Sequence, residues 1–314
     1  MKGVREDKVS GMGLRRDLLV FPGGKEKALT FSYDDAVTQD VRFLEMLNER
    51  GLKGTFNINT GLLGQCSLHT QDGKTVTHDK LLHAEIAATY KGHELAVHGL
   101  THLDLVLVPE GTAAYELTAD RAAIEEIVQA PVRGMAYPFG TYNEKVLEIV
   151  ENCGIEYART VKSTGSFKIP ENFRCWHPTC HHADERLFDL LKEFCGEDSL
   201  QKDVCGEDTS DQCHETDYRY TGPKLFYVWG HTYEFDVRED WERMEHFLDQ
   251  AAGHDDVWYA TNIEICDYIN AAKQLKYSAA GKYIYNPTLH DIWMRLDPKS
   301  KDVVVLKAGE VTEI

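Results

Sequence analysis

The sequence predicts an α/β fold, a parallel sheet curled towards a barrel, on three observations. Seven short apolar runs alternate with segments of helical period, the pattern of strand–helix–strand units whose strands lie parallel. The residues suited to chemistry, Asp34-Asp35, His98, Pro138-Phe139, Arg159, His231 and Glu264, each fall just after one of those runs. In a (β/α) barrel the site is built at that end of the strands, from the βα loops. Composition agrees: 314 residues, 42% apolar and 10% aromatic, support a full globular core of one large domain or two ordinary ones.

Leu29-Thr30-Phe31-Ser32-Tyr33-Asp34-Asp35 opens the alternation as a buried strand ending in two carboxylates. Side chains alternate across a strand, so adjacent aspartates can share one site only where the strand has ended. Such a pair can divide two jobs, one carboxylate on a cation and one moving protons, or it can cap the helix that follows. That helix is expected over 38–50, where Val41, Leu44 and Leu47 recur beside Phe43 and Met46 until Gly51 stops the run. A strand over 54–59, a polar loop through 78, a helix over 81–90 and a strand over 93–97 lead to His98. Next come a helix over 112–129, a strand over 132–137, the turn Pro138-Phe139-Gly140, a helix over 143–153 and a strand over 155–159. Residues 160–182 read as one irregular loop rich in Pro, His and Trp, and loops that long in a compact domain are usually functional. A helix over 184–195 precedes an acidic, aperiodic surface insertion at 196–221. The alternation resumes with strands over 224–229 and 257–261 and helices over 239–252 and 264–276. Short runs at 282–285, 292–296 and 303–306 then read as a small β appendage. Two units are expected: a barrel over 1–276 and a β-rich extension over 277–314 packed on it.

A net charge of −18 argues against nucleic acid and anionic membrane surfaces as partners. No run reaches the ~18 apolar residues of a membrane span. The first sixteen residues lack the apolar core of a secretory signal, so the expected compartment is the cytoplasm and the eight cysteines are expected as mostly reduced, buried thiols. Cys195, Cys205 and Cys213 lie close in sequence without a CxxC pair, which argues against a zinc knot.

His98 and His102 stand four apart; on a first helical turn both rings would leave one face and could chelate one ion. Two satisfied core histidines would also explain them. Beside a strand-end acidic pair, they point to a metal site of two imidazoles and a carboxylate with positions open to water. Zinc, cobalt, nickel and iron all suit such donors, zinc being the first expectation.

Thr30-Phe31-Ser32-Tyr33-Asp34-Asp35, His98-Gly99-Leu100-Thr101-His102, Tyr137-Pro138-Phe139-Gly140 and Trp229-Gly230-His231 follow one another as do the motifs of the polysaccharide deacetylases (NodB homology, carbohydrate esterase family 4). The chain resembles a divergent member of that family from Leu29 to Lys276. The resemblance implies a distorted (β/α)7 barrel and removal of an acetyl group from an N-acetylated sugar or related small substrate. It implies Asp34 as general base, Asp35, His98 and His102 as ligands of one divalent transition metal, and a metal-bound water attacking the amide carbonyl. The backbone N–H of Phe139 would be the oxyanion donor and His231 the general acid, a role that fits a group titrating near neutrality. Tyr137, Trp176, Trp229 and Glu264 are the expected substrate contacts, although Trp176 could equally be core and Glu264 a helix cap. Two family features are missing. Ala136 stands where an arginine orients the base, and Arg159 is the expected replacement, with a surface ion pair as its alternative. Cys175-Trp176 stands where an aspartate tunes the acid. The pair His181-His182 could line the cleft or lie exposed in a loop. A C–N hydrolase of non-sugar amides and a non-catalytic carbohydrate-binding relative are the alternative functions.

Overall fold

The computed structural model describes residues 18–196, 222–297 and 302–314. All seven expected strands are present: β1 (Lys27–Asp34), β2 (Gly54–Ile58), β3 (Glu94–Val97), β4 (Gly134–Ala136), β5 (Tyr157–Arg159), β7 (Lys224–Gly230) and β8 (Val257–Tyr259). An eighth, β6 (Cys180–His181), lies inside the segment expected to be a single loop. All these pairings are parallel, in the order β5-β4-β3-β2-β1-β7-β6, and the sheet curls into the distorted barrel. Its two edges approach through residues 176–182. Trp176 N–H donates to Ala158 O and Trp176 O accepts from Thr160 N–H, and then the N–H groups of Thr179 and His182 donate to β7 at the carbonyls of Tyr227 and Trp229.

β1 is buried along almost its whole length because it has neighbours on both edges and aromatic packing on one face, where Phe31 and Tyr33 meet Phe43 and Phe56. Around it run α1 (Asp40–Glu49), α2 (His83–Thr89), α3 (Glu110–Val128), α4 (Glu144–Asn152), α5 (Leu187–Cys195), α6 (Tyr233–Arg238), α7 (Trp241–Ala251) and α8 (Asn262–Ala272). The short α6 was absent from the sequence reading. β8 pairs only with the first part of β1, Val257 opposite Lys27 and Tyr259 opposite Leu29, whereas β2 pairs with its last part, Phe31 to Asp34. β8 therefore ends low in the barrel.

Two further departures have local causes. The polar stretch before residue 78 is not loop throughout but carries a hairpin, Leu68–Gln71 with Lys74–Thr77. Its turn is Asp72-Gly73, both at positive φ (52° and 79°), the geometry that Asp-Gly favours between two strands. The His98–His102 segment is not helical: Gly99 (φ 76°) and His102 (φ 60°) turn the chain sharply after β3. In the tail, Ile292–Arg295 pairs with Val303–Leu306 and with Leu19–Val20, while Tyr283–Tyr285 pairs with Lys276–Tyr277 and Val311–Glu313. Ile284, Ile292, Met294 and Leu306 share one apolar cluster with α8. The acidic insertion lies outside the described residues except for Gly196, as do Cys205 and Cys213. Among the described cysteines, Cys180 and Cys266 are buried and Cys66 is exposed. No helix among the described residues is long and apolar enough to cross a membrane.

Candidate active site

A cleft of about 500 Å³ opens at the C-terminal ends of the barrel strands, lined by Asp34, Asp35, His98, His102, Tyr137, Phe139, Trp229 and His231 among others. Asp34 is the last residue of β1 and points into the barrel mouth, 2% exposed. Asn57, opposite it on β2, donates to its Oδ1 at 2.9 Å. Arg159, fully buried at the end of β5, donates to its Oδ2. His98 and His231 each hold Nε2 3.7 Å from that same oxygen. Burial alone would raise the Asp34 pKa, but Arg159, His98 and His231 hold it below the usual carboxylate range.

Asp35 shares the cleft with Asp34 because the strand has ended: its φ is +87°. Lys80 and His78, from the chain just beyond the hairpin, reach its two oxygens at 3.2 and 3.3 Å. Burial opposes ionisation, yet His78 and Lys80 hold the carboxyl well below its ordinary range. One donor atom each from Asp35, His98 and His102 can be chosen within 4.8 Å of one another. His98 Nδ1 lies 2.9 Å from Ala136 O, which fixes the proton there and leaves Nε2 with its lone pair. Burial lowers both imidazoles, His102 to about 4 with His98 beside it, so both are neutral and able to ligate at pH 7. Donor type, tautomer and spacing thus fit a divalent cation.

Two carboxylates on one face of α3 shape the loop carrying these histidines. Asp120 accepts from the backbone N–H of His98 (3.0 Å) and of Thr60 (2.8 Å). Glu116 accepts from Thr101 N–H and Oγ1, both at 2.8 Å. Asn59 donates to the carbonyls of His98 and Gly99.

His231 follows β7. Its Nδ1 faces the Glu234 carboxylate at 3.6 Å while Nε2 faces Asp34. Burial would lower its pKa, but Glu234, Asp34 and Asp35 raise it to about 9. Phe139, 60% exposed, sits at φ +60° in the tight turn after β4, its ring against His102 at 4.6 Å. Tyr137 is buried beneath it and donates to Arg174 O at 2.9 Å. Trp229 forms the opposite wall, with the Arg159 guanidinium 4.5 Å from its ring centre.

Two expected substrate contacts lie elsewhere. Trp176 is 1% exposed and packed among Phe173, Tyr157 and Tyr227, because its segment seals the sheet edges and turns this ring into the core. Glu264 lies at the far end of the barrel, since β8 stops low. It caps α8 by accepting from Thr261 N–H at 2.8 Å and pairs with Lys53. Of the adjacent histidines, His182 is buried rather than exposed and His181 belongs to β6. Sequence reasoning missed Asn57, His78, Lys80, Glu116, Asp120 and Glu234. The four-residue spacing of Glu116 and Asp120 on a predicted helix, and the three-residue step from His231 to Glu234, were available as signals.

Residues 22–158 match the family model described as "Polysaccharide deacetylase". Across 82% of this chain and 94% of its own, a Mycobacterium smegmatis protein assigned to the polysaccharide deacetylases has the same fold, at 18% identity and TM-score 0.52. The Streptococcus pyogenes deacetylase PplD, solved with acetate, aligns at 20% identity and TM-score 0.36 over 42% of this chain; the chain spans only 55% of PplD. BA3943, a CE4 family pseudoenzyme of Bacillus anthracis, aligns at 16% identity and TM-score 0.43 over 77% of this chain and 66% of its own. A comparison with curated protein sequences gave no significant match. The polysaccharide deacetylase model thus matches residues 22–158 of this chain, somewhat under half of its length.

Proposed function

We propose that this protein is a metal-dependent hydrolase that removes an acetyl group from an N-acetylated sugar or a related small substrate. The observation that carries this reading is the arrangement around Asp34. A buried carboxylate, held ionised by Arg159 and Asn57, stands between a donor set of one carboxylate and two neutral imidazoles (Asp35, His98, His102) and an imidazole biased towards its charged form, His231. A divalent cation on the donor set, most simply zinc, with cobalt, nickel or iron as alternatives, would polarise the acyl carbonyl and acidify water there. Asp34 takes the proton of the attacking water as the new C–O bond forms. The Phe139 turn supplies a backbone N–H to the developing oxyanion. As the C–N bond breaks, His231 delivers its proton to the departing amine nitrogen. Tyr137 and Trp229 wall the acyl and sugar positions.

The test pairs elemental analysis with acetate release from N-acetylated sugars, before and after chelation. About one equivalent of transition metal, and acetate release that chelation abolishes, is the expected result. Asp34→Asn should lower kcat at least ~10²-fold while leaving fold and metal content intact. Metal without acetate release, but with release from non-sugar amides, would move the substrate class. One observation favours a non-catalytic binding role instead: Lys80 already neutralises Asp35 at 3.2 Å. That role predicts sugar binding that Asp34→Asn leaves unchanged and no turnover.

A further inference from the structure

Behind His231 lies a cluster that the reaction outlined above leaves unused. Glu234, 8% exposed at the start of α6, directs Oε2 towards three imidazoles: His181 Nε2 at 3.0 Å, His182 Nε2 at 3.2 Å and His231 Nδ1 at 3.6 Å. The same oxygen lies 3.3 Å from the backbone N–H of His231, which donates to it. One donor atom each from His181, His231 and Glu234 falls within 4.8 Å of the others, the composition of a second cation site.

Hydrogen bonding decides against a cation. The backbone N–H of Ala183 donates to His181 Nδ1 at 3.1 Å, so that nitrogen carries a lone pair and the ring proton sits on Nε2. Nε2 then donates to Glu234 and has no lone pair left for a metal. His182 is fully buried, stacked on Tyr33 at 5.6 Å and against Phe235 at 4.4 Å, and it closes this side of the carboxylate to water. That packing requires Gly230 beside His231, where a Cβ would come within 2.0 Å of His182 Nδ1. The carboxylate is thus oriented by His181, sheltered by His182 and aimed at one nitrogen of His231.

We infer that Glu234 is the positioning residue of His231: it holds the ring so that Nε2 faces Asp34 and the cleft, and it favours the imidazolium. Its catalytic meaning rests on the hydrolase reading; its physical test does not. The charged and titratable groups facing His231 are Asp34 and Asp35 from β1, Tyr233 and Glu234 from α6, and, beyond Glu234, His181 and His182 beside β7. Of these, Glu234 is the one whose carboxylate lies beside Nδ1, at 3.6 Å.

The His231 ring resonance is titrated by NMR in the purified full-length wild type, Glu234→Gln and Glu234→Asp. In Glu234→Gln the midpoint should fall by about one pH unit or more, and in the shortened Asp variant by less. The Asp variant carries the test alone if the Gln variant does not fold. An unchanged midpoint in either folded variant overturns the inference. So does uptake of two equivalents of zinc by the wild type that drops to one in Glu234→Gln, since the cluster would then be a metal site. If the wild type hydrolyses N-acetylated sugars, Glu234→Gln should also move the alkaline limb of kcat/KM to lower pH, whereas a purely structural loss would lower the rate without moving it. A wild type without turnover would remove the hydrolase reading while leaving the titration to decide this one.

Discussion

Arg159 shows how one side chain sets the character of the site. Its guanidinium is fully buried, bonded to Asp34 on one side and lying over the Trp229 ring on the other. A buried charge without its partner is costly, so this pair matters more for what its loss would expose than for its net contribution. Arg159→Met should destabilise the fold by about 3–5 kcal/mol, read as a lowered urea midpoint. Burial would then raise the Asp34 pKa with less opposition, since its largest counterweight is gone. The acid limb of any pH–rate profile should move to higher pH, because Asp34 would stay protonated further up the scale. An acid limb that does not move would show that Asn57 and the histidines suffice to keep Asp34 ionised.

At the scale of elements, α3 and the hairpin do what the motifs cannot. The histidine-bearing turn has no helix of its own to hold it; Glu116 and Asp120 of α3 bind its backbone instead. Substituting Glu116 with Ala should weaken divalent-metal affinity about 10–100-fold, measured by calorimetry on the purified protein, because supporting groups of this kind fix ligand orientation. An unaltered affinity would mean that Asn59 and Asp120 hold the turn unaided. The hairpin and the residues flanking it make one wall of the cleft through Ser67, His69 and His78, and His69 and His78 pack on Tyr233. Its Asp-Gly turn was readable in the sequence. It was overlooked because the flanking strands are half exposed and polar, without the apolar alternation that marks a strand.

The whole molecule couples the site to its core. Trp176 and its neighbours Phe173, Tyr157 and Tyr227 fill the space between the sheet and α8, so Trp176→Ala should cost about 3–5 kcal/mol in a denaturation experiment. The site also imposes a pH dependence on stability. The folded pKa of His231 is raised to about 9 from an ordinary 6.5, so its contribution is fully present below about 6.5 and is lost as pH rises towards 9. The urea midpoint should therefore fall between pH 7 and 9 in the wild type, and fall less in His231→Gln over the same window.

Local chemistry alone determined the seven barrel strands, the acidic pair that ends β1 and the histidines after β3. These are legible because apolar period and chain order survive without knowledge of neighbours. Which carboxylate faces which partner was decided only in three dimensions. Arg159 meets Asp34 because β5 ends level with β1 across the curled sheet, and Glu264 misses the cleft because β8 stops low against β1. Trp176 enters the core because its segment joins the sheet's two edges. Glu234 reaches His231 because the short helix α6 begins directly beyond β7. Each of these depends on where a strand ends relative to a strand distant in sequence, a quantity that a linear pattern of side chains does not carry.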